Sequence, residues 1–256
     1  MKKSILAAAI PLILFSSCKK EEPKKENDAP ITLLMAEVNP EDSICGKMDF
    51  AFKQKVEELS NGKIHIDLKC AGILGDESQV MKIFMSENPT IQLVRISANL
   101  AKYGGKKSRL LSIPFTFSNA EHFWKFASSA IADEILNEPY ELNLGMRGLF
   151  YGEEGFRHFF STKKITSTED FKGLNVRATN DKAMQGMLEG LEAHSVSVNY
   201  ADLYPALQTG AIDAAEQPIA NYLANFFYTV APYMILDGHT MGVTEVVITS
   251  ECWDSL

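Results

Sequence analysis

In the first half of the chain, the spacing of hydrophobic residues alternates between the pattern of a strand and the pattern of a helix. Residues 31–35 form a compact apolar run typical of a buried strand, and residues 64–68 alternate as a half-buried strand does. Apolar residues at helical spacing predict helices over residues 46–59 and around residues 80–84, and a further apolar run predicts a strand at residues 91–96. This order of strands and helices indicates an α/β fold, with helices on the faces of a parallel or mixed sheet.

The second half continues the alternation of helices and strands. Its periodicity predicts helices over residues 120–137, 181–192 and 201–208, and strands over residues 145–151 and 243–249. Trp124 and Ile131 fall on the predicted buried side of the first of these helices. Residues 110–117 are also apolar, but Pro114 cannot donate a hydrogen bond to a sheet, so this segment is predicted to be a buried connector.

The N-terminus has the pattern of a secretory signal. Lys2 and Lys3 precede an apolar run over residues 5–15, which is shorter than the about 20 residues that a membrane span requires. The run ends in LFSSC, which resembles a bacterial lipobox and predicts a lipoprotein signal over residues 1–18 with lipidation at Cys18. The alternative is a plain cleaved signal with an incidental cysteine. Residues 19–30 are charged and contain two prolines, so they are predicted to form a flexible tether.

Composition and motifs argue against several functional classes. The formal net charge of −8 argues against nucleic-acid binding, which needs a basic face. Cys45, Cys70 and Cys252 lack the close paired spacing of a zinc site and are interpreted as free thiols. The sequence has no Gly-x-Ser-x-Gly elbow, Walker loop or His-Glu-x-x-His pair, so we predict no catalytic residues, metal or cofactor. The adjacent Glu153 and Glu154 are interpreted as a solvated charge pair.

Several segments match motifs of one receptor family. Residues 200–218, YADLYPALQTGAIDAAEQP, are similar to a family pattern in which an aromatic and an acidic residue precede V/L-Y-x-A-L-Q-T-G-x-(V/I)-D-G-x-E-N-P. Residues 170–177, DFKGLNVR, are similar to D-L-K-G-L-K-(I/L/V)-R, and shorter matches occur at residues 72–75, 114–117 and 155–158. Over residues 31–256 the chain therefore resembles the DctP-type solute receptors of tripartite ATP-independent periplasmic (TRAP) transporters.

The resemblance implies a two-lobe periplasmic-binding-protein-like α/β fold with a ligand cleft between the lobes. Lobe I would comprise residues 31–153 and 244–256, and lobe II would comprise residues 154–243. The family counterpart of residues 251–256 begins a helix that continues well past this point. The C-terminal portion of the fold is therefore expected to be missing.

The resemblance also implies that arginines bind the carboxylate of a ligand. Arg177 would clamp it, because a guanidinium presents a planar fork of donors that matches a carboxylate. The alternative is a surface arginine paired with Asp170 or Asp181. Arg157 would be a second cationic contact, or else part of a structural ion pair.

Other candidate ligand contacts are polar or aromatic. Tyr200 would place its ring beside the ligand, although burial in the core is the alternative. Gln217 replaces the asparagine of the family motif, keeps the amide and adds a methylene, so a differently shaped pocket is expected. Lobe I would supply hydrogen-bonding groups, for which the candidates are Glu37, Asn39, Ser97 and Asn99.

The implied function is that of a monomeric periplasmic receptor anchored to a membrane by the lipid on Cys18. It would capture a small organic acid and deliver it to the membrane subunits of a TRAP transporter, without catalysis. The alternative function is a sensor that presents the acid to a membrane signalling protein.

Overall fold

The computed structural model describes residues 29–97, 100–178 and 182–256. The strands are β1 (Ile31–Ala36), β2 (Ile64–Lys69), β3 (Leu93–Ser97), β4 (Met146–Ser161), β5 (Asn175–Arg177), β6 (His194–Ser195), β7 (Ala214–Pro218), β8 (Tyr233–Met234) and β9 (Thr240–Thr249). The α-helices are α1 (Ile44–Leu59), α2 (Glu77–Phe84), α3 (Ala120–Ala127), α4 (Ala130–Glu141), α5 (Lys182–Gly190), α6 (Leu203–Thr209), α7 (Ile219–Ala224) and α8 (Ser250–Ser255). Short 3₁₀ segments lie at Leu100–Tyr103, Lys107–Ser112, Thr168–Phe171, Tyr200–Asp202 and Phe227–Thr229.

The strands of the described residues form one mixed sheet in the order β2-β1-β3-β9-β4-β7-β5-β6, and β8 pairs with β4. β1 pairs in parallel with β2 and β3, and β5 pairs in parallel with β6 and β7. The long strands β4 and β9 pair antiparallel to each other and join these two parallel regions. The sheet is thus the mixed α/β sheet of a two-lobe fold, with β1–β3 in lobe I and β5–β8 in lobe II.

Alternation along the lobe I strands buries both faces of the sheet. One cluster packs one face against α1 and includes Leu33, Met35, Leu93, Met48 and Phe52. A second cluster packs the other face against α2 and includes Ala36, Val94, Ile96, Val80 and Phe84. Because successive side chains of a strand point to opposite faces, Arg95 lies on the α1 face together with Leu93. This face also holds the buried Asp49 of α1.

The single helix predicted over residues 120–137 is wrong at its centre. α3 ends at Ala127 and α4 begins at Ala130, because Ser129 Oγ accepts a hydrogen bond from Ala132 N (3.3 Å) and caps the second helix. The break changes which residues are buried. Trp124 and Ile131, both predicted to be buried, are 46% and 63% exposed.

The strand predicted over residues 145–151 extends ten residues further, to Ser161, as β4. Its register against β9 shifts between Glu153 and Phe156, where Gly155 adopts a left-handed conformation (φ +86°) that favours glycine. This bulge disrupts the simple alternation of faces. The interpretation of Glu153 and Glu154 as a solvated pair is wrong for Glu154, which is buried.

The segment predicted as a buried connector, residues 110–117, is only partly buried. Leu111 and Phe117 pack in the core, but Leu110 and Phe115 are 52% and 69% exposed. The reason is local conformation, since the segment begins in the 3₁₀ turn that ends at Ser112, and a 3₁₀ turn sends successive side chains to different sides.

Some predictions concern positions beyond the described residues. The signal over residues 1–18 with Cys18, most of the tether, Asn99 and Asp181 all lie outside them. Cys45, Cys70 and Cys252 are free thiols, as predicted. In the described part of the chain, no helix combines the length and the apolar character that crossing a bilayer requires.

Candidate functional site

The two lobes meet at a polar cavity of about 80 Å³. Its lining residues are Val38, Asn39, Glu77, Arg95, Ser97, Glu154, Arg157, Arg177, Tyr200, Gln217 and Asn221. Six of the eight residues predicted to bind ligand are among them, namely Arg177, Arg157, Gln217, Tyr200, Asn39 and Ser97. A wider cavity of about 310 Å³, which also lies between the lobes, shares Val38 and Tyr200 with it. The described residues include no group of three or more His, Cys, Asp or Glu side chains placed to hold a metal ion.

Arg177 is the last residue of β5, and its side chain enters the cavity from lobe II. Parallel pairing with β6 and β7 holds the strand on both sides, so the end of β5 is a rigid support for the side chain. Its Nε donates a hydrogen bond to Val198 O (3.2 Å). Burial lowers the pKa of Arg177, and the Glu216 carboxylate opposes that effect. Among the described residues, no carboxylate lies within 4 Å of the Arg177 guanidinium, and Asp170 instead accepts hydrogen bonds from Thr166 and Ser167.

Arg157 of β4 lines the cavity and is also part of a buried ion pair. Its Nε and Nη2 donate to the two carboxylate oxygens of Glu216 on the neighbouring strand β7, the Nη2 bond measuring 3.0 Å. Burial alone would raise the pKa of Glu216, but the Arg157 guanidinium and His239 hold it well below its ordinary value. Arg157 therefore forms a structural ion pair and also lines the cavity, and its contact with a ligand stays a prediction.

His239 supports the Arg157–Glu216 pair from behind the cavity wall. Its ring stacks on Phe159 with centroids 4.5 Å apart, Nδ1 lies 2.6 Å from Asp237 Oδ2, and Nε2 lies 3.7 Å from Glu216 Oε2. Burial acts to lower the pKa of His239, but these two carboxylates raise it above its ordinary value.

Arg95 of β3 is a cavity residue that the sequence analysis missed. It is 2% exposed, and its Nε donates to Glu37 Oε2 (2.5 Å) while Nη2 donates to Glu37 Oε1. Burial would lower the pKa of Arg95, yet the Glu37 carboxylate raises it well above its ordinary value. Glu37 itself is not part of the cavity lining. Glu37 therefore fixes Arg95 and does not line the cavity as predicted, because both of its carboxylate oxygens bind Arg95, and Oε1 also accepts from Asn39.

Asn39 faces the cavity with its amide held in one orientation. Its backbone N and Nδ2 donate to Glu37 Oε1 at 2.6 Å and 2.9 Å. Since Glu37 can only accept, the amide nitrogen must point toward it and Asn39 Oδ1 points away. This oxygen is buried and has no hydrogen-bond partner among the described residues.

Asp49 lies on the α1 side of the same cluster and is fully buried. Burial and the nearby Glu37 carboxylate raise the pKa of Asp49 to about 9. Asp49 is therefore a neutral acid at pH 7. The Glu37 carboxylate beside it has a pKa below its ordinary value, since Arg95 outweighs the raising effect of burial.

Glu154 links the two lobes at the base of the cavity. Its Oε2 accepts a hydrogen bond from Asn221 Nδ2 in lobe II, and its Oε1 lies 3.8 Å from Arg95 Nη1 in lobe I. Both Glu154 and Asn221 line the cavity and neither was predicted to do so.

Tyr200 and Gln217 complete the lobe II wall. Tyr200 is half-buried, and its hydroxyl accepts a hydrogen bond from Asn225 Nδ2 (2.9 Å) while its ring meets Phe227 edge-on. The ring thus packs on the core and also faces both cavities. Gln217 lies in β7 next to Glu216 and is 3% exposed.

Ser97 and Glu77 form a polar pair on the lobe I wall. Ser97 N and Oγ donate to Glu77 Oε2 at 3.1 Å and 3.2 Å. Glu77 is the first residue of α2, where a carboxylate also interacts favourably with the helix dipole. Glu77 and Arg177 both line this cavity, so the two side chains face a common space.

Two of the residues that were not predicted, Arg95 and Glu216, carry a signal in the sequence. Arg95 interrupts the apolar run IQLVRI, and a charge in a buried strand must be paired. Glu216 occupies the acidic position of the EQP motif, beside Gln217. Glu77, Glu154 and Asn221 have no such signal, because only the packing of the two lobes brings them to the cavity.

The sequence and the fold both have known relatives. A sequence model described as bacterial extracellular solute-binding protein, family 7, matches residues 35–256. The chain belongs to this family. A C4-dicarboxylate-binding periplasmic protein from Shewanella loihica is 25% identical over 229 residues, which cover 89% of this chain and 67% of that protein. The first curated relatives that this family member matches are covered over 45% to 67% of their length.

Solved structures share the two-lobe fold of this family 7 chain. A TRAP periplasmic solute-binding protein from Pseudomonas putida, solved with bound D-glucuronate, has a TM-score of 0.83 at 25% identity and is matched over 88% of this chain and 73% of its own. A TRAP periplasmic solute-binding protein from Polaromonas, solved with bound D-erythronate, has a TM-score of 0.82 at 26% identity, with 88% and 74% covered. Residues that are far apart in the sequence thus meet in the interlobe cavity of a solute-binding fold.

Proposed function

We propose that this protein captures a small organic acid outside the cytoplasmic membrane and delivers it to the membrane subunits of a TRAP-type transporter. The observation that carries the proposal is Arg177, whose guanidinium enters the interlobe cavity with no carboxylate within 4 Å among the described residues. A partly buried cation without a nearby carboxylate is costly, and a ligand carboxylate would supply a partner with two hydrogen bonds.

Lobe closure provides the physical mechanism of capture. Lobe II supplies Arg157 and Arg177, and lobe I supplies Asn39, Glu77 and Ser97. Only the closed arrangement brings both sets to one ligand, so the ligand stabilises the closed state through its differential affinity. We place the lobe boundaries at residues 153/154 and 243/244, within β4 and β9, which run between the lobes.

The proposed reaction is binding without turnover. The cavity lining contains no cysteine or histidine, and the Oγ and backbone N of its one serine, Ser97, both donate to Glu77, so we assign the hydroxyl a binding role and not that of a nucleophile. The proposed receptor acts as a monomer without a cofactor. A sensor would use the same cavity, so the capture step is common to both outcomes.

Native mass spectrometry of protein from its host tests the capture step. We expect a non-covalent adduct with the mass of a small organic acid, which is lost on denaturation and absent from Arg177→Ala. A wild-type protein that carries no adduct and is not stabilised against heating by any member of an organic-acid panel would overturn the proposal.

The lipid anchor is part of the same proposal and has a separate test. Lipidation of Cys18 would hold the receptor at the membrane, near the transporter. The Cys18→Ser variant should then appear in the soluble fraction, whereas wild type should fractionate with membranes. Equal distribution of the two proteins between the fractions would contradict the anchor.

A further inference from the structure

The cationic charge of the cavity is mostly neutralised by the protein itself. Of the three arginines that line it, Arg95 is paired with Glu37 and Arg157 is paired with Glu216. Only Arg177 has no carboxylate within 4 Å among the described residues. Among the described residues, the cavity therefore has one guanidinium without a carboxylate partner, which is enough for one ligand carboxylate.

The remaining wall presents carboxylates and an amide oxygen, which accept hydrogen bonds. The lining carboxylates are Glu77, which has no cationic partner within 4 Å among the described residues, and Glu154, which lies 3.8 Å from Arg95 Nη1. Asn39 contributes its buried Oδ1, which lacks a donor among the described residues and cannot rotate without losing the bond from Nδ2 to Glu37. A second carboxylate of a ligand is acceptor-only when ionised, so it could not satisfy these oxygens and would be repelled by Glu77 and Glu154. A hydroxyl group can donate to them.

The geometry points to a specific substrate class, and the inference rests on the proposed function. We propose that the ligand is a monocarboxylate that carries hydroxyl groups, of the sugar-acid type, and that the site disfavours dicarboxylates. The carboxylate binds to Arg177 from lobe II. The hydroxyl groups extend toward lobe I and donate hydrogen bonds to Glu77 and Asn39. Glu77 is the specificity-determining residue, since it lines the same cavity as Arg177 and its carboxylate is held at the lobe I wall by Ser97.

Two pairs of acids of equal carbon number test the inference by calorimetric titration of the purified chain. D-erythronate and succinate have four carbons with one and two carboxylates, and D-galactonate and galactarate have six. In the pair that binds more tightly, we expect the affinity of the chain for the monocarboxylate to exceed that for the dicarboxylate at least 10-fold. Erythritol, which has no carboxylate, should not bind. Equal or tighter binding of the dicarboxylates would overturn the substrate class while leaving acid capture in place. Failure of all four acids to bind would overturn both proposals.

A charge-neutral variant separates the effect of Glu77 from the effect of the protein's overall negative charge. Glu77→Gln should reduce the preference for the monocarboxylate at least 10-fold, because the repulsion of a second carboxylate disappears. The matched control is Glu87→Gln, which removes the same charge from an exposed position beyond the end of α2 and should leave the preference unchanged. Thermal melting checks that both variants fold. A preference that is unchanged in folded Glu77→Gln would remove Glu77 from the proposal, and if that variant does not fold, the wild-type preference decides alone.

Discussion

Arg157 and Glu216 form a buried, bidentate ion pair that joins β4 to β7 at the cavity wall. The register places Arg157 opposite Pro218, one residue pair from the Gln217 that also lines the cavity. The edge of the guanidinium formed by Nε and Nη2 is occupied by Glu216, so its orientation is set before any ligand arrives. This explains how one arginine can be both a structural residue and a cavity residue.

The first prediction concerns the stability that this pair provides. Glu216→Gln should lower the free energy of unfolding by about 3–5 kcal/mol, because it leaves the Arg157 charge buried without a counter-ion. Urea denaturation measures the loss. The matched control is Glu192→Gln, which breaks the exposed pair with Lys172 (2.6 Å, side chains 70% and 66% exposed) and should change stability by less than about 1 kcal/mol. Equal losses in the two variants would contradict the structural role of the pair.

The second prediction concerns the coupling between Arg95 and Glu37. Arg95→Met and Glu37→Leu should each cost about 3–5 kcal/mol, since each removes one partner of the buried bidentate pair in the α1-facing cluster. The double variant removes both partners of the bidentate pair, so it should cost less than the sum of the two by at least about 1 kcal/mol. A double-mutant cycle by urea denaturation measures this difference. Additive losses would mean that the two side chains stabilise the fold independently.

The third prediction is a pH dependence that originates at Asp49. The folded-state pKa of about 9 lies far above the ordinary value of 3.8, so between these values the folded protein binds a proton that the unfolded chain releases. Stability from this group is therefore complete at low pH and falls as pH rises, by at most about 1.4 kcal/mol per pH unit. Asp49→Asn, which is always neutral, should gain stability relative to wild type as pH rises from 5 to 9.

Denaturation of wild type and Asp49→Asn at several pH values checks the Asp49 prediction. Asp42→Asn is the control, because Asp42 is exposed one residue before the cap of α1. The difference between Asp42→Asn and wild type should be independent of pH in this range. If the difference in free energy of unfolding between Asp49→Asn and wild type is also independent of pH, the carboxyl of Asp49 is ionised in the folded protein and the prediction is wrong.

The sequence was sufficient to predict most elements of the fold and their order. Short apolar runs predict the lobe I strands, because β1 and β3 are buried on both faces. It was not sufficient for β4, whose second half carries Glu153, Glu154 and Arg157. These charged residues break the alternation of a strand in the sequence, but the neighbouring strands and the cavity provide partners for them.

The candidate site was predictable where a motif fixed the residues. Arg177 and Gln217 lie in the two longest matched segments, and both reach the cavity. Glu77 and Asn221 could not be predicted, since they carry no local pattern and reach the cavity only through the packing of α2 and α7 against their lobes. Glu37 was predicted to contact the ligand because it directly follows β1. Alternate residues of a strand share one face, so Glu37 lies on the same face as Leu33 and Met35 and points toward Arg95 and α1.

The central claim is that Arg177 binds the carboxylate of the ligand. Arg177→Ala should weaken binding at least ~100-fold, which corresponds to about 2.7 kcal/mol, because the ligand carboxylate would be desolvated without a partner. Arg177→Lys should recover only part of the affinity, since an ammonium group cannot reproduce the fork of donors. Arg109→Ala, at an exposed position, is the matched control and should bind like wild type.

The most direct measurement is calorimetric titration of wild type, Arg177→Ala and Arg109→Ala with the tightest-binding acid of the four probes. Thermal melting of each variant in the absence of ligand verifies folding. The account predicts normal melting for all three proteins and a dissociation constant at least ~100-fold higher for Arg177→Ala alone. An Arg177→Ala variant that melts normally and binds as tightly as wild type would contradict the account.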